Sequence, residues 1–98
     1  MSAYLEAKEY KSRYEFTLAE KLLLEATEYD ASNTLYLNNL GMLYTELAQY
    51  DKAIDYYEKA LKIFKNVLGA RHPFTQNVQR KLQKTIDIKT IDSKGVPE

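Results

Sequence analysis

The chain has 98 residues, no cysteine, and 14 basic against 14 acidic residues, so its formal net charge is zero. The lack of cysteine excludes disulfides, thiol catalysis and cysteine-based zinc sites, and the balanced charge argues against nucleic acid as the main partner. Three glycines and two prolines in a chain that is 45% hydrophobic and 29% charged predict one small all-α domain with no membrane-spanning segment.

The sequence repeats itself without a gap at a period of 34 residues. Small residues align with small residues, as Ala7 does with Gly41, and aromatic residues align with aromatic residues or leucine, as Phe16 does with Tyr50. Such a period is typical of stacked helical pairs. The first unit, residues 1–32, is therefore predicted to form two helices.

The second unit, residues 33–68, carries two apolar stripes at helical spacing. The stripe residues are Leu37, Leu40, Gly41 and Tyr44 in the first helix, and Tyr50, Ala53, Tyr57, Ala60, Leu61 and Phe64 in the second. A glycine within a helix costs about 1 kcal/mol relative to alanine. We expect tight packing to offset this cost, because Gly41, Ala53 and Ala60 let two helix backbones approach closely.

The last predicted element is a single helix over residues 73–91. Gly69 suits the C-cap of the preceding helix, and Pro73 suits the first turn of the next one. The residues predicted to face inward are Phe74, Val78, Leu82 and Ile86. The polar residues between them suit the terminal cap of a repeat array. The domain is expected to cover residues 1–91, and residues 92–98 are expected to form a flexible tail.

These residues resemble the tetratricopeptide repeat, an antiparallel helix pair. Leu37–Tyr44, which reads LNNLGMLY, and Val67–Pro73, which reads VLGARHP, are similar to the kinesin-light-chain type of this repeat. The resemblance implies an α-α superhelix, or solenoid, of about two and a half repeats and five helices. The sequence departs from the family at Glu6, where an apolar residue is usual, and at Ala31 and Lys65, where proline is usual.

In this family the first helix of each pair lines a concave face that binds peptides. Helix periodicity places on this face Lys8, Lys11, Leu35, Asn38, Asn39, Met42, Asn77, Arg80, Lys81 and Lys84, together with Tyr4, Leu5, Ser12, Thr45 and Glu46. An asparagine at the place of Asn39 often hydrogen-bonds the ligand backbone in family members that bind extended peptides. The alternative is that Asn39 is an ordinary polar surface residue.

Some family members bind C-terminal carboxylates through a clamp of lysine, asparagine and arginine residues. Asn39 and Lys81 match two positions of this clamp, whereas Tyr4, Lys8 and Asn77 do not match the residues it requires. The clamp is therefore incomplete. The excess of basic residues on the face still predicts a ligand that is acidic or C-terminal and extended, because opposite charge steers association.

No catalytic or metal-binding set is recognisable in the sequence. His72 is the only histidine and is expected to cap the helix that follows it. Asp55 and Glu58 each stand four residues before a lysine, which is the spacing of ion pairs on a solvated helix. We therefore expect no enzymatic activity, no cofactor and no metal.

The leading hypothesis is a cytoplasmic adaptor or scaffold that binds a protein or peptide partner, with neither nucleic acid nor membrane involved. The alternative is an assembly element that self-associates, or stacks with further repeats, through its exposed terminal helices. An N-terminal edge of Tyr4, Leu5, Tyr14 and Phe16 could form the contact for a homo-oligomer. A fragment without activity of its own is a third reading that the sequence leaves open.

Overall fold

The computed structural model describes the backbone of residues 3–94 and the side chains of residues 13–92. Within these residues the protein is all-α, as the sequence predicts, and has no strand. It comprises α1 (Ala3–Tyr29), α2 (Thr34–Glu46), α3 (Tyr50–Leu68) and α4 (Pro73–Lys94). None of the described helices combines the length and the apolar character needed to cross a membrane.

The antiparallel pair of α2 and α3 forms the centre of the core. The predicted stripes are confirmed for most of their residues, since Leu40, Tyr44, Ala53 and Ala60 are all buried, whereas Tyr50 and Phe64 are half-buried. A Cβ atom at Gly41 would lie 2.5–2.8 Å from three ring atoms of Tyr57. The glycine is therefore required by the close approach of α2 to the Tyr57 ring, which outweighs its low helix propensity.

Local capping interactions explain where α2 begins. The side chain of Asn33 accepts a hydrogen bond from the Leu35 amide at 3.0 Å, which satisfies one of the free donors at the start of the helix. Asn33 also donates from Nδ2 to the Asp30 carboxylate at 3.3 Å. These two contacts stabilise the sharp change of direction between α1 and α2.

The turn from α2 to α3 is a Schellman motif. The Gln49 amide donates to the Tyr44 carbonyl at 2.8 Å, and the Ala48 amide donates to the Thr45 carbonyl at 3.1 Å. This pattern places the residue after the C-cap in the left-handed region, and Ala48 has a φ of 58°. A non-glycine residue at this position carries strain of about 1 kcal/mol.

The linker from α3 to α4 has the predicted caps. Gly69 is the C-cap of α3 with a φ of 90°, and its amide donates to the Lys65 carbonyl at 3.1 Å. His72 Nδ1 accepts a hydrogen bond from the Phe74 amide at 3.0 Å, and Pro73 is the first residue of α4. His72 is thus a helix cap, as predicted.

The prediction of two helices in residues 1–32 is wrong in the described part, because α1 runs without a break from Ala3 to Tyr29. At a shift of 34 residues, the strained Ala48 of the α2–α3 turn corresponds to Tyr14. The left-handed conformation is more costly for a bulky tyrosine than for alanine. Nothing else in this stretch interrupts a helix, so α1 continues, and the structure has four helices instead of five. The superhelix remains a prediction.

The inward face of α4 differs from the predicted one. Val78 and Leu82 are buried and Ile86 packs against the core, but Phe74 is 61% exposed and lies beside His72 instead. Two threonines complete the buried face, which consists of Thr75, Val78, Leu82 and Thr85. Its spacing of three, four and three residues defines one side of a helix. Phe74 stands in the first turn of α4, where its ring pairs with those of Phe64 and His72.

The end of α4 also differs from the prediction. The helix continues to Lys94, three residues past the predicted end at residue 91. Residues 95–98 of the predicted tail lie outside the described residues. The division into repeats at 1–32, 33–68 and 73–91 is an interpretation of the sequence that these helix bounds do not establish.

Candidate functional site

Helices α2 and α4 lie side by side, and both pack against α3. Lys81 Nζ contacts Met42 Sδ at 3.6 Å, and the hydroxyl oxygens of Thr45 and Thr85 are 3.5 Å apart. One turn forward along α2 therefore corresponds to one turn forward along α4, so the two helices run parallel. This is the arrangement expected of the first helices of two neighbouring repeats.

A groove of about 190 Å³ lies between these two helices and is called the α2–α4 groove below. Its lining residues are Met42, Thr45, Tyr57, Lys81, Lys84, Thr85 and Ile88. The buried Tyr57 is contributed by α3 and lies at the bottom. The groove thus combines a thioether, an aromatic ring and an aliphatic side chain with two ammonium groups, a combination that suits a ligand with both apolar and acidic parts.

The two ammonium groups of the groove have no carboxylate partner among the described side chains. The ion pairs in this part of the protein are Lys59 with Asp55 and Lys89 with Asp51. Lys81 is half-buried and directs its ammonium group to the Met42 sulfur, which is a weak acceptor. An ammonium group with such a weak acceptor would gain from an anionic ligand.

Asn38 offers an unused hydrogen-bond acceptor one turn before Met42. Its Oδ1 atom is buried and has no hydrogen-bond donor within the described structure. Buried polar atoms in folded proteins almost always have a partner. Because residues four apart lie on the same side of a helix, Asn38 extends the polar character of the groove edge along α2.

The hydroxyl of Tyr57 remains protonated at neutral pH. Burial raises the pKa of Tyr57 above its ordinary value, and the negative charge of Glu46 raises it further, whereas a side-chain hydrogen bond with Thr45 lowers it. The net shift is upward, so the bottom of the groove is a neutral phenol and carries no negative charge. An acidic ligand would meet no repulsion from this residue.

A second and larger cavity of about 360 Å³ lies next to the α2–α3 turn. Its lining includes Asp51 and Lys89, which already form an ion pair with each other. The remaining lining residues are Ala48, Gln49, Tyr50, Lys52 and Asp92. Since its central charges are paired, this cavity offers less to a ligand than the smaller α2–α4 groove does.

The structure brings together three of the ten predicted site residues in the groove lining: Met42, Lys81 and Lys84. Asn38 and Asn39 are half-buried on α2, and the exposed residues outside the lining are Leu35, Asn77 and Arg80. The side chains of Lys8 and Lys11 lie outside the described residues, as do those of Tyr4, Leu5 and Ser12.

Three lining residues are absent from the predicted set. Thr85 and Ile88 continue the stripe of Lys81 and Lys84 by one helical turn, so extending the periodicity would have found them. Tyr57 was assigned to the core, where its ring does lie. No sequence signal shows that its edge is also accessible from the groove.

Residues 34–74 match the family model of the tetratricopeptide repeat, and these 41 of the 98 residues cover α2, α3 and the linker to α4. Comparison with curated proteins and with solved structures gave no significant match. The match supports the family resemblance for this segment, and repeats of this family generally mediate protein–protein interaction. The kinesin-light-chain subtype remains a prediction.

Proposed function

We propose that the protein is a non-enzymatic interaction module that binds an extended, acidic segment of a partner protein in the α2–α4 groove. The observation that carries the proposal is the Lys81 ammonium group, which is directed at the Met42 sulfur and has no carboxylate partner among the described side chains. Lys84 lies in the same groove and also lacks a carboxylate partner among the described side chains.

A carboxylate of the ligand would replace the Met42 sulfur as the partner of Lys81. Charge-assisted hydrogen bonds are roughly twice as strong as neutral ones, so this exchange favours binding. An apolar neighbour of the acidic residue would pack on Met42 and Ile88, and the flexible thioether can adapt to its shape. Residues 71–89 carry five basic residues against one acidic residue, a net charge of +4, which would steer the ligand to this side.

Asn39 of α2 would fix the direction of the ligand backbone. It stands where related proteins often bind the peptide backbone, whereas the free acceptor of the neighbouring Asn38 is buried. A carboxamide both donates and accepts, which matches the alternating groups of an extended chain. Lys8 and Lys11 would lengthen the basic surface if α1 reaches this side. A cytoplasmic location would suit such a module.

The decisive experiment is a peptide-display selection on wild type, followed by affinity measurements on single variants. Lys81→Glu should weaken binding of the enriched acidic peptides by at least about tenfold, since a favourable charge becomes a repulsive one. Lys65→Glu makes the same charge change at an exposed site of α3 and should leave the affinity within about twofold. No enrichment on wild type, or equal losses in both variants, would overturn the proposal.

A second measurement separates the role of Asn39 from that of the charges. Asn39→Ala should preserve the thermal unfolding curve and weaken peptide binding, because a hydrogen bond to the ligand backbone is lost. Its effect should not depend on ionic strength, unlike that of Lys81→Glu. An unchanged affinity would identify Asn39 as an ordinary surface residue.

A further inference from the structure

The outward side of α1 carries a row of large apolar side chains at intervals of four residues. Tyr14 is 68% exposed, Leu18 is 41% exposed and Leu22 is 54% exposed. These three residues are called the outer stripe. Successive positions at this spacing lie on one side of a helix, so they form one continuous patch. Contiguous apolar patches on a protein surface commonly mark interaction sites.

The described part of the fold leaves the outer stripe uncovered. The opposite side of α1 packs against the core through Leu23 and Leu24, and Glu20 accepts a hydrogen bond from the Tyr44 hydroxyl at 2.7 Å. These contacts hold α1 with the outer stripe facing away from α2. The stripe lies on a different helix from the two that form the α2–α4 groove, so the proposed groove function does not use it.

The backbone of α1 continues well beyond the outer stripe, because the helix runs unbroken from Ala3. The helix has 27 residues, which corresponds to a length of about 40 Å. Tyr14, at one end of the outer stripe, lies close to the middle of the helix.

The charges along α1 indicate which partner would fit. Residues 3–14 contain three basic and two acidic residues, a net charge of +1, whereas residues 15–29 contain one basic and four acidic residues, a net charge of −3. An antiparallel pair of such helices places each basic half beside an acidic half. A parallel pair would place the two acidic halves together, at an electrostatic cost.

We infer that α1 pairs with α1 of a second copy of the chain, antiparallel and through the outer stripe. A twofold axis near Tyr14 makes the contact self-complementary, as most homodimer interfaces are. In this register Leu18 and Leu22 of each copy lie beside the first half of α1 of the other. The three exposed side chains would then be buried without any change in the fold of either copy.

The mass in solution tests the pairing. Sedimentation equilibrium on the 98-residue chain, over a hundredfold range of concentration, should show a species of twice the 11.4 kDa chain mass. The double variant Leu18→Glu with Leu22→Glu should be monomeric while it keeps its helical circular dichroism. Val67→Glu places the same charge at another exposed apolar residue, on α3, and should remain dimeric. A monomeric wild type, or dissociation by Val67→Glu as well, would overturn the inference.

The orientation can be tested separately because the protein has no cysteine of its own. Tyr14→Cys lies near the twofold axis and should form a disulfide-linked dimer under mild oxidation. Tyr29→Cys is the matched control, since in an antiparallel pair the two positions are separated along the axis by about 45 Å. Efficient cross-linking through Tyr29→Cys would show a parallel pair and contradict the antiparallel arrangement.

Discussion

Helices α3 and α1 carry the same pattern of residues at a shift of 34, yet they pack differently. Ala53 and Ala60 of α3 are fully buried, whereas the corresponding Ala19 and Ala26 of α1 are only half-buried. Helix α3 packs against both α2 and α4, whereas α1 packs mainly against α2 among the described helices. A repeat pattern therefore indicates which residues can form a core, but burial requires a neighbouring helix on each side.

The turn explains why α1 lacks its second neighbour. Ala48 adopts the left-handed conformation that reverses the chain between α2 and α3. The corresponding Tyr14 is helical, so residues 3–13 continue away from the second half of α1 instead of folding back on it. One residue at the turn position thus separates a helical hairpin from a single long helix.

The largest expected effect is that of Gly41→Leu, which would break the well-packed region. No side chain fits between α2 and the Tyr57 ring, because even a Cβ atom would approach it to 2.5 Å. We expect loss of the cooperative unfolding transition of α2–α4 in thermal circular dichroism. Met42→Leu introduces the same residue one position later, at an exposed site, and should leave the transition nearly unchanged. Normal stability of Gly41→Leu would refute the packing described for this crossing.

A matched pair of variants measures the difference between the two helices directly. Ala53→Leu overfills a fully buried site and should reduce the free energy of unfolding by about 1–3 kcal/mol. Ala19→Leu makes the same change at the corresponding half-buried site of α1 and should cost under about 1 kcal/mol, since the side chain can turn toward solvent. Urea denaturation gives both values, and equal losses would show that α1 is packed as tightly as α3.

The hydrogen bond from Tyr44 to Glu20 connects the two regions, and Tyr44→Phe should remove it. Because the bond is partly buried and accepted by a carboxylate, we expect a loss of about 1–2 kcal/mol at neutral pH. Burial, followed by the Glu20 hydrogen bond, raises the pKa of Tyr44 far above its ordinary value of about 10. The folded state therefore holds the phenol proton more tightly than the unfolded state does.

The raised pKa of Tyr44 determines how the free energy of unfolding changes with pH in the alkaline range. The contribution of Tyr44 is complete below pH about 10 and is lost as the pH rises above that value. Stability should fall less steeply above pH 10 in Tyr44→Phe than in wild type. Burial also raises the pKa of Tyr57, so part of the pH dependence of stability remains in wild type and in Tyr44→Phe alike. Tyr29→Phe, at a fully exposed tyrosine, should change neither the neutral stability nor the slope, and a slope unaltered by Tyr44→Phe would contradict this account.

The smallest expected effects are those of glycine substitutions at the turn position. The free energy of unfolding should rise for the substitution in the α2–α3 turn and fall for the one in α1. Ala48→Gly relieves the left-handed strain and should raise the free energy of unfolding by about 1 kcal/mol. Tyr14→Gly places glycine inside a helix at the corresponding position and should lower it by about 1 kcal/mol. Thermal unfolding of both variants provides the check, and a gain in stability from Tyr14→Gly would mean that α1 is bent at this residue.

Much of the candidate site could be inferred before the structure, but only one helix at a time. Periodicity selected Met42, Lys81 and Lys84, which do line one groove. It could not show that Lys81 meets the Met42 sulfur, because that contact joins residues 39 positions apart. Phe74 has the periodicity of the buried side, but in the first turn of α4 its ring pairs with Phe64 and His72, and two threonines complete the buried side.

The sequence alone was sufficient to predict the helical class, the apolar stripes of α2 and α3, the need for a small residue at Gly41, and the helix caps at Gly69 and His72. These features depend on local conformational preference and on periodicity, which act over a few residues. The continuity of α1 is also a local effect, because Tyr14 stands where the turn needs a left-handed residue. Only the three-dimensional arrangement decided the pairing of α2 with α4, because this pairing joins residues about 40 positions apart and no local preference of the chain carries that information.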